Sequence, residues 1–184
     1  MTTAYLGLGS NQGDRAQHLQ AAVEGLHAAD GLRVSAVSPV YETEAHVRGP
    51  DEEQPAFLNA VVAIETKCTP EEVLRTAQAI EQKEGRVRKE SAPRWQPRPL
   101  DIDLLVVGEE TRATDTLSLP HPRLAERRFV LRPWADLAPN LRVPPPFDTT
   151  VRALLLRCSD TADVRPASST LVVPTPEPPE ATHD

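Results

Sequence analysis

The segment Arg98-Pro99-Leu100-Asp101-Ile102-Asp103-Leu104-Leu105-Val106-Val107 predicts a β-strand with two acids near its start. Side chains alternate between the two faces of a strand, so residues two apart share a face. One predicted face is apolar throughout and consists of Leu100, Ile102, Leu104 and Val106. The other face begins with Asp101 and Asp103 and continues with Leu105 and Val107. The pattern therefore predicts a largely buried strand that presents two adjacent carboxylates at one end.

The adjacent carboxylates of Asp101 and Asp103 have two interpretations. Like charges repel each other, and a carboxylate beside an apolar wall is costly to desolvate unless a cation compensates it. Mg²⁺ suits this role, because proteins hold it with one or two carboxylates together with phosphate oxygens and water. The plainer interpretation is a solvated strand face that carries two acids, and the Asp-x-Asp pattern alone favours it.

Two basic segments flank this strand and change the balance. Residues 86–98 contain five cationic side chains, one acid, two prolines and one tryptophan. A second run after the strand consists of His121, Arg123, Arg127, Arg128 and Arg132. Arginine forks match phosphate oxygens and stay charged at any relevant pH. The alternative is that both runs are solvated loops. Because the chain is acidic overall, with a net charge of −7, local basic clusters favour a polyphosphate–metal site.

Several short motifs occur together in one order along the chain. They are Ala4-Tyr5-Leu6-Gly7-Leu8-Gly9-Ser10-Asn11, Val40-Tyr41-Glu42-Thr43, Gln54-Pro55-Ala56-Phe57-Leu58-Asn59-Ala60, Gly85-Arg86-Val87-Arg88-Lys89, Arg94-Trp95, Arg98-Pro99-Leu100-Asp101-Ile102-Asp103, Leu119-Pro120-His121-Pro122-Arg123 and Arg127-Arg128-Phe129-Val130-Leu131-Arg132-Pro133. Each motif is weak alone, but in register they are specific. Over about residues 3–157 the chain resembles the 6-hydroxymethyl-7,8-dihydropterin pyrophosphokinase family.

The resemblance implies a Mg²⁺-dependent diphosphokinase of folate biosynthesis. Such an enzyme transfers pyrophosphate from ATP to 6-hydroxymethyl-7,8-dihydropterin, giving the pterin diphosphate and AMP. It implies that Asp101 and Asp103 bind two Mg²⁺ ions and that Arg86 and Arg98 stabilise charge during transfer. Either aspartate is a candidate to help deprotonate the pterin alcohol, and the sequence leaves the choice open.

The resemblance also implies a set of residues on the ATP side. These residues are Glu81, Arg88, Trp95, Arg98, Ile102, His121 and Arg127. Two of them have plainer alternatives. His121 would otherwise be a capping or core histidine, and helical spacing alone makes Glu81 a solvated acid.

A second implied set would bind the pterin. A flat ring needs stacking partners and paired donors and acceptors at its rim. By resemblance the set is Thr43, Glu44, Ala45, Phe57, Asn59, Trp95 and Phe129. Phe57 and Phe129 would sandwich the ring, Asn59 and Thr43 would contact its polar edge, and Trp95 would close over the site. The alternative for both phenylalanines is an ordinary core position.

The order of elements predicts an α+β, ferredoxin-like βαββαβ fold. Strands are predicted over 3–9, 32–43 (broken at Pro39), 57–66 and 100–107, and helices over 14–29 and from Thr69 to Gly85. Thr69-Pro70-Glu71-Glu72 is typical of a capped helix start. We expect an antiparallel sheet with the helices on one face, plus C-terminal additions that include a short helix over 151–157. The segment Gly7–Gly13 is interpreted as a strand-to-helix turn, because its glycine spacing does not fit a dinucleotide-binding loop.

Composition sets the domain boundary and the compartment. We predict one pyrophosphokinase domain over residues 1–164 and a disordered tail over 165–184, which is rich in proline and acids. The sequence has no membrane-spanning apolar run and no signal-peptide pattern, so we expect a cytoplasmic protein. Cys68 and Cys158 are expected to be free thiols. The expected partners are small molecules, with no nucleic acid and no membrane, and the chain is expected to be a monomer.

Two other functions stay open. The first is a non-catalytic ferredoxin-like module that binds RNA or small molecules, although an RNA reader needs exposed aromatics on its central strands and residues 100–107 carry acids instead. The second is another Mg²⁺-dependent transferase, which would keep the aspartates and arginines without the ring-binding residues. The sequence also leaves open whether the chain works beside neighbouring folate enzymes.

Overall fold

The computed structural model describes residues 1–44, 54–86 and 98–175. Within these ranges the strands are β1 (Thr2–Ser10), β2 (Leu32–Val37), β3 (Tyr41–Thr43), β4 (Phe57–Thr66), β5 (Asp101–Val107), β6 (Arg112–Ala113), β7 (Ser118–Leu119), β8 (Arg142–Val143), β9 (Thr149–Thr150) and β10 (Val164–Pro166). The α-helices are α1 (Arg15–Ala28), α2 (Pro70–Lys83), α3 (Arg128–Leu137) and α4 (Val151–Arg157), and a 3₁₀ turn spans Leu124–Glu126.

The main sheet has the order β10-β3-β4-β1-β5, and β2 pairs with β4 on the same side as β3. All neighbouring strands in it are antiparallel. The chain therefore runs β1-α1-β2/β3-β4-α2-β5 with β1 and β4 at the centre, which confirms the predicted ferredoxin-like core. The break predicted at Pro39 separates β2 from β3.

Both core helices begin where the sequence predicts them. The Asp14 side chain accepts a hydrogen bond from the Gln17 N–H and caps α1. Thr69 and Glu72 form the predicted capping box of α2, in which each side chain satisfies a backbone N–H that the helix leaves unpaired. The helices α1 and α2 cover one face of the sheet. Their shared core includes Leu6, Leu19, Val23, Leu26, Ile64, Val73, Leu100 and Leu104.

The opposite face of the sheet is covered by α3 and α4. Leu131 and Trp134 of α3 are fully buried, and the Trp134 ring lies 5.5 Å from the ring of Tyr5 on β1. The helix α3 was not predicted from the sequence. It contains Pro133, a residue that removes a backbone donor and usually argues against a helix. The short helix α4 was predicted, and Thr150 caps it. These C-terminal elements turn a two-layer core into three layers.

The predicted faces of β5 are wrong at the end of the strand. Leu6 pairs with Leu104 but Tyr5 pairs with Val106, so β5 has one extra residue at Leu105. Such a bulge reverses the alternation beyond it. Val106 therefore joins Leu105 in the core beneath α3, and Val107 points into the core beneath α1 and α2. The faces of the strand up to Leu104 are as predicted.

The predicted disorder of residues 165–184 is wrong for its first part. Val164–Pro166 form β10 along the edge of β3. Ala167, Leu171 and Val173 then pack against the core beneath α1 and α2. Apolar side chains spaced along a proline-rich segment stabilise it through this packing, without regular secondary structure. Residues 176–184 lie outside the described residues.

Two smaller predictions concern the cysteines and the membrane. Cys68 and Cys158 are both free, as predicted, and both are half-buried. In the part of the chain that the structure describes, no helix is long and apolar enough to cross a bilayer.

Candidate active site

A pocket of about 270 Å³ opens on the side of the sheet that faces α3. Its lining comes from β1, β3, β4, β5, the start of α3 and the segment after α4. The lining residues are Gly7, Leu8, Gly9, Thr43, Glu44, Gln54, Phe57, Asn59, Ala60, Arg98, Asp101, Asp103, Arg123, Arg127, Phe129, Val130 and Ala162. Because the strand order is β3-β4-β1-β5, the carboxylates of β5 lie on one side of the pocket, and Thr43, Phe57 and Asn59 lie on the other.

We call the charged part the phosphate end, defined by Arg98, Asp101, Asp103, Arg123 and Arg127. Asp101 and Asp103 lie on the same face of β5, as their spacing predicts. Their side chains keep 26% and 32% of their surface exposed, enough to meet a ligand from the pocket.

Arginines pair with both carboxylates. Arg86 and Arg98 each bond one oxygen of Asp101, and the Arg98 Nη1 to Asp101 Oδ2 distance is 3.0 Å. Arg127 donates from Nη1 to Oδ2 of Asp103. Arg86 and Arg98 from before β5 and Arg127 from after it therefore converge on the two acids of the strand.

The arginines change the ionisation of Asp101. Burial disfavours the charged carboxylate, but Arg86 and Arg98 outweigh this effect, so the pKa of Asp101 lies below its ordinary value. Burial also works against the charge on Arg86, but Asp101 and Glu81 outweigh it and raise the pKa of that guanidinium. Asp101 is thus an ionised carboxylate at neutral pH.

Glu81 and Ile102 lie behind the phosphate end rather than on its surface. The Glu81 side chain is 1% exposed, and its Oε1 accepts hydrogen bonds from Arg86 and, at 2.8 Å, from the Ile102 backbone N–H. The Ile102 side chain is buried in the core. Both were predicted on the ATP side, and neither is among the residues that line the pocket. The solvated alternative for Glu81 is wrong, because this acid is buried and holds Arg86.

His121 is not a lining residue of the pocket, but it interacts with Arg127 and Asp103 and is held by backbone contacts. Its N–H donates to the Leu105 carbonyl at 2.9 Å, and its Nδ1 accepts from the Arg123 N–H at 3.2 Å. Burial and the Arg127 guanidinium lower the pKa of His121, against the opposing effect of Asp103. The ring is therefore neutral at pH 7, since the ordinary pKa of histidine is about 6.5.

We call the other part of the pocket the ring end, defined by Thr43, Phe57, Asn59 and Phe129. Asn59 is buried, and its Nδ2 donates to Thr43 Oγ1 at 2.9 Å. Phe57 comes from β4 and Phe129 from α3, so two rings reach the pocket from different layers. Glu44 lines the same region at the exposed rim. The structure brings these predicted pterin residues together.

Gly9 forms the floor between the two ends. A Cβ atom at this position would lie 3.3 Å from Asn59 Oδ1 and 3.8 Å from Phe57 Cδ1. A larger side chain would therefore push against the residues that shape the ring end. Gly7 and Gly9 belong to β1, so the turn predicted over 7–13 is wrong at its start, and the chain turns only after Ser10.

The sequence pattern of the 7,8-dihydro-6-hydroxymethylpterin-pyrophosphokinase (HPPK) family matches residues 5–139. The chain belongs to the HPPK family. This stretch contains every lining residue of the pocket except Ala162.

Curated relatives agree with this assignment. A 2-amino-4-hydroxy-6-hydroxymethyldihydropteridine pyrophosphokinase of Methylorubrum extorquens is 48% identical over 141 residues, which cover 77% of this chain and 85% of that protein. The Pseudomonas aeruginosa protein of the same name is 42% identical over 140 residues, covering 76% and 83% respectively.

Solved structures agree on the fold. The Plasmodium falciparum HPPK-DHPS chain with pteroate superimposes with a TM-score of 0.64 at 15% identity. The match covers 85% of this chain but 42% of that longer one, so the chain spans less than half of this structural relative.

The described residues of this HPPK chain also define what kind of metal site is possible. Among them, no group of three or more His, Cys, Asp or Glu side chains is arranged to hold a metal alone. Two carboxylates fit Mg²⁺ when phosphate oxygens and water complete its shell. Asp101 and Asp103 therefore suit a metal that arrives with a polyphosphate.

Several lining residues were not predicted from the sequence, and some predicted site residues lie outside the described residues. Gln54, Arg123, Val130 and Ala162 line the pocket without having been singled out. Arg123 belongs to the second basic run, which was a usable signal, whereas nothing in the sequence indicates Ala162. The predicted residues Ala45, Arg88 and Trp95 lie outside the described residues.

Proposed function

We propose that this chain transfers pyrophosphate from ATP to 6-hydroxymethyl-7,8-dihydropterin, giving the pterin diphosphate and AMP in folate biosynthesis. The observation that carries the proposal is the joining of two unlike ends in one pocket. Carboxylates paired with arginines lie at one end, and aromatic and amide side chains lie at the other. A ring with a hydroxymethyl arm needs both ends at once.

At the phosphate end, the protein mainly positions the substrates and stabilises charge. Polyphosphate transfer proceeds with little covalent participation by the enzyme, so fixed cations matter most. Arg98 and Arg127 line the pocket and would contact phosphate oxygens, as would His121, which interacts with Arg127. Arg86, which is held by Glu81 and contacts Asp101, would stabilise charge that develops there.

We propose that Asp101 and Asp103 hold Mg²⁺, two ions in the active complex, once ATP is bound. When bound, Mg²⁺ neutralises part of the polyphosphate charge and makes the β-phosphorus easier to attack. The two carboxylates supply the anionic ligands from one strand face. Their arginine partners would then be released toward the phosphates.

The attacking group is the pterin hydroxymethyl oxygen, which bonds to the β-phosphorus while AMP leaves. The oxygen loses its proton during this step. Asp101 and Asp103, the two carboxylates of the phosphate end, are the candidates to accept it. A carboxylate with a lowered pKa is a weak base, so Asp101 is better suited to hold cations than to take the proton.

At the ring end, Phe57 and Phe129 would stack on the pterin, and Asn59 and Thr43 would bond its polar edge. The bond between Asn59 and Thr43 fixes the amide before the substrate arrives, which limits the entropy lost on binding. Glu44, Ala45 and Trp95 complete the proposed pterin set. Arg88 and Trp95 complete the proposed ATP set, which Glu81 and Ile102 would support from behind the phosphate end. We further propose that the protein is cytoplasmic and acts on small molecules alone. We also propose that it is a monomer, and light scattering of the purified chain tests this.

Product analysis tests the proposal. The protein is incubated with ATP, Mg²⁺ and 6-hydroxymethyl-7,8-dihydropterin, and the Asp101→Ala/Asp103→Ala variant serves as the control. AMP and pterin diphosphate, formed by the wild type only, are the expected products. Formation of ADP would mean single-phosphoryl transfer, and no turnover by a folded, ATP-binding protein would overturn the proposal.

A further inference from the structure

Residues 158–175 run across the molecule from the end of α4 to α1, and we call them the C-terminal strap. They lie beyond residue 139, where the match to the HPPK family pattern ends. The strap contributes Ala162 to the lining of the pocket. A segment outside the matched region thus forms part of the wall of the proposed active site.

The start of the strap is fixed to the helix that carries Phe129. Asp160 Oδ2 accepts a hydrogen bond from the Arg128 N–H, the first residue of α3, at 3.2 Å. A carboxylate at this position satisfies an unpaired donor and interacts favourably with the helix dipole. Asp160 Oδ1 also accepts from the Ala162 N–H at 2.9 Å, so the same side chain sets the path of the strap toward the pocket.

The middle of the strap is fixed to the strand that carries Thr43. In β10, Val164 pairs with Thr43 and Pro166 pairs with Tyr41. The Ala167 N–H then donates to the Val40 carbonyl at 2.9 Å. Strand β3 is only three residues long, so pairing on both of its sides restrains it far more than pairing with β4 alone.

The far end of the strap is anchored away from the pocket. Val172 exchanges two hydrogen bonds with the side chain of Gln20 on α1, at 3.0 and 3.1 Å. Ala167, Leu171 and Val173 pack against the core beneath α1 and α2. The strap is therefore held on both sides of Ala162, and this alanine has little freedom to move away from a ligand.

We propose that the C-terminal strap is a positioning element of the pterin site and that Ala162 sets the width of its ring end. Ala162 lies in sequence between Asp160, which holds the start of α3, and Val164, which pairs with Thr43. The strap thereby ties the two elements that carry Phe129 and Thr43 and places a small side chain in the gap. This inference rests on the proposed function, because it assigns the wall to a pterin.

Equilibrium binding of the pterin and of ATP with Mg²⁺, measured separately by calorimetry, tests the assignment. Ala162→Leu adds apolar bulk to the pocket wall and is expected to weaken pterin binding about tenfold, as overpacking does. ATP binding and the melting temperature should match those of the wild type. Thr161→Leu is the matched control, because Thr161 is exposed and is not a lining residue.

The outcomes separate the strap from the reaction. Wild-type affinity for the pterin in a folded Ala162→Leu variant, or an equal loss in Thr161→Leu, would overturn the proposed role of the strap. If Ala162→Leu does not fold, Ala162→Val carries the same prediction with a smaller loss. Failure of the wild type itself to bind the pterin would instead overturn the proposed function.

Discussion

The two ends of the pocket are built in opposite ways. The phosphate end takes Arg98, Asp101 and Asp103 from one short stretch of chain and adds Arg127 from the next basic run. The ring end assembles Thr43, Phe57 and Phe129 from β3, β4 and α3, with Ala162 from the strap. Most charged residues of the phosphate end thus lie close together in the sequence, whereas the shape of the ring end depends on packing between distant segments. Substitutions at the phosphate end should therefore affect ATP binding and transfer, and substitutions at the ring end should affect pterin binding.

The largest effect is expected at Asp101. Asp101→Asn keeps the shape of the side chain but removes the charge that pairs with Arg86 and Arg98. We expect kcat to fall about 1,000-fold, the loss typical of removing a group that stabilises charge in the transition state. The rate of AMP formation measures it. Asp115→Asn, an exposed acid elsewhere on the surface, is the control, and an equal loss there would remove the phosphate end from the explanation.

Arg127→Gln should have the next largest effect. It removes the partner of Asp103 and one cation of the pocket wall, so kcat/KM for ATP should fall about 100-fold. The KM for the pterin should change little, although the Arg127 guanidinium lies 5.9 Å from the Phe129 ring centre. Initial rates at varied concentrations of each substrate separate these effects. Arg157→Gln at the exposed end of α4 should leave both constants unchanged.

Asn59→Ala should affect the ring end alone. The variant loses the amide that Thr43 orients, and the pterin loses a polar partner, so its affinity should fall about tenfold, as for one buried hydrogen bond. Affinity for ATP should stay within about twofold. Thr66→Ala removes a part-buried hydrogen bond from the Cys68 N–H to a buried side chain at the far end of β4 and should not weaken pterin binding. A matching loss of pterin binding in that control would mean that stability, rather than contact, is responsible.

Tyr41→Phe tests how much the polar link between β3 and α3 contributes to the stability of the ring end. The Tyr41 hydroxyl bonds Asp136, and Arg132 Nε donates to it at 3.1 Å, so the residue links β3 to α3. Removing it should lower the free energy of unfolding by about 1 kcal/mol, the usual net value of such a bond. Urea unfolding measures the change, and Tyr5→Phe on β1 provides the baseline. A loss no larger than that baseline would mean that these two elements are held by apolar packing alone.

The smallest effect is a pH dependence of stability. Because the pKa of Asp101 is lowered in the folded state, its stabilising contribution is present above the unfolded pKa of about 3.9 and is lost as pH falls below it. With a chelator present, the free energy of unfolding should therefore decline less steeply below about pH 4 in Asp101→Asn than in the wild type. Parallel slopes in urea titrations would show that Asp101 is not favoured as a carboxylate in the folded state.

The sequence predicted the core of the fold because its signals are local. Alternation predicts β1, and the Thr69–Glu72 capping box places the start of α2. The exchange of Val106 and Val107 between faces could not be predicted, because the bulge at Leu105 depends on pairing with β1. The sequence of α3 does not predict a helix because it contains Pro133, and the helix is stabilised by the burial of Leu131 and Trp134. The order of residues 165–175 likewise depends on contacts with β3 and α1.

The same distinction applies to the site. The adjacent carboxylates of β5 and the flanking arginines were identified from spacing and charge. Their pairing, with Arg86 and Arg98 on Asp101 and Arg127 on Asp103, depends on the tertiary fold. The burial of Glu81 beneath Arg86 could not be predicted either, because the helical spacing of Glu81 is equally typical of a solvated acid. Ala162 has no chemical signature at all and is recognised only from its position.

We propose that the phosphate end of the pocket binds ATP and that the ring end binds the pterin. Calorimetry of the pterin and of ATP with Mg²⁺, each titrated into Asn59→Ala and Asp101→Asn, tests it most directly. We expect Asn59→Ala to lose pterin affinity but keep ATP affinity, and Asp101→Asn to lose ATP affinity but keep pterin affinity. Equal weakening of both ligands by both substitutions would contradict the division of the pocket.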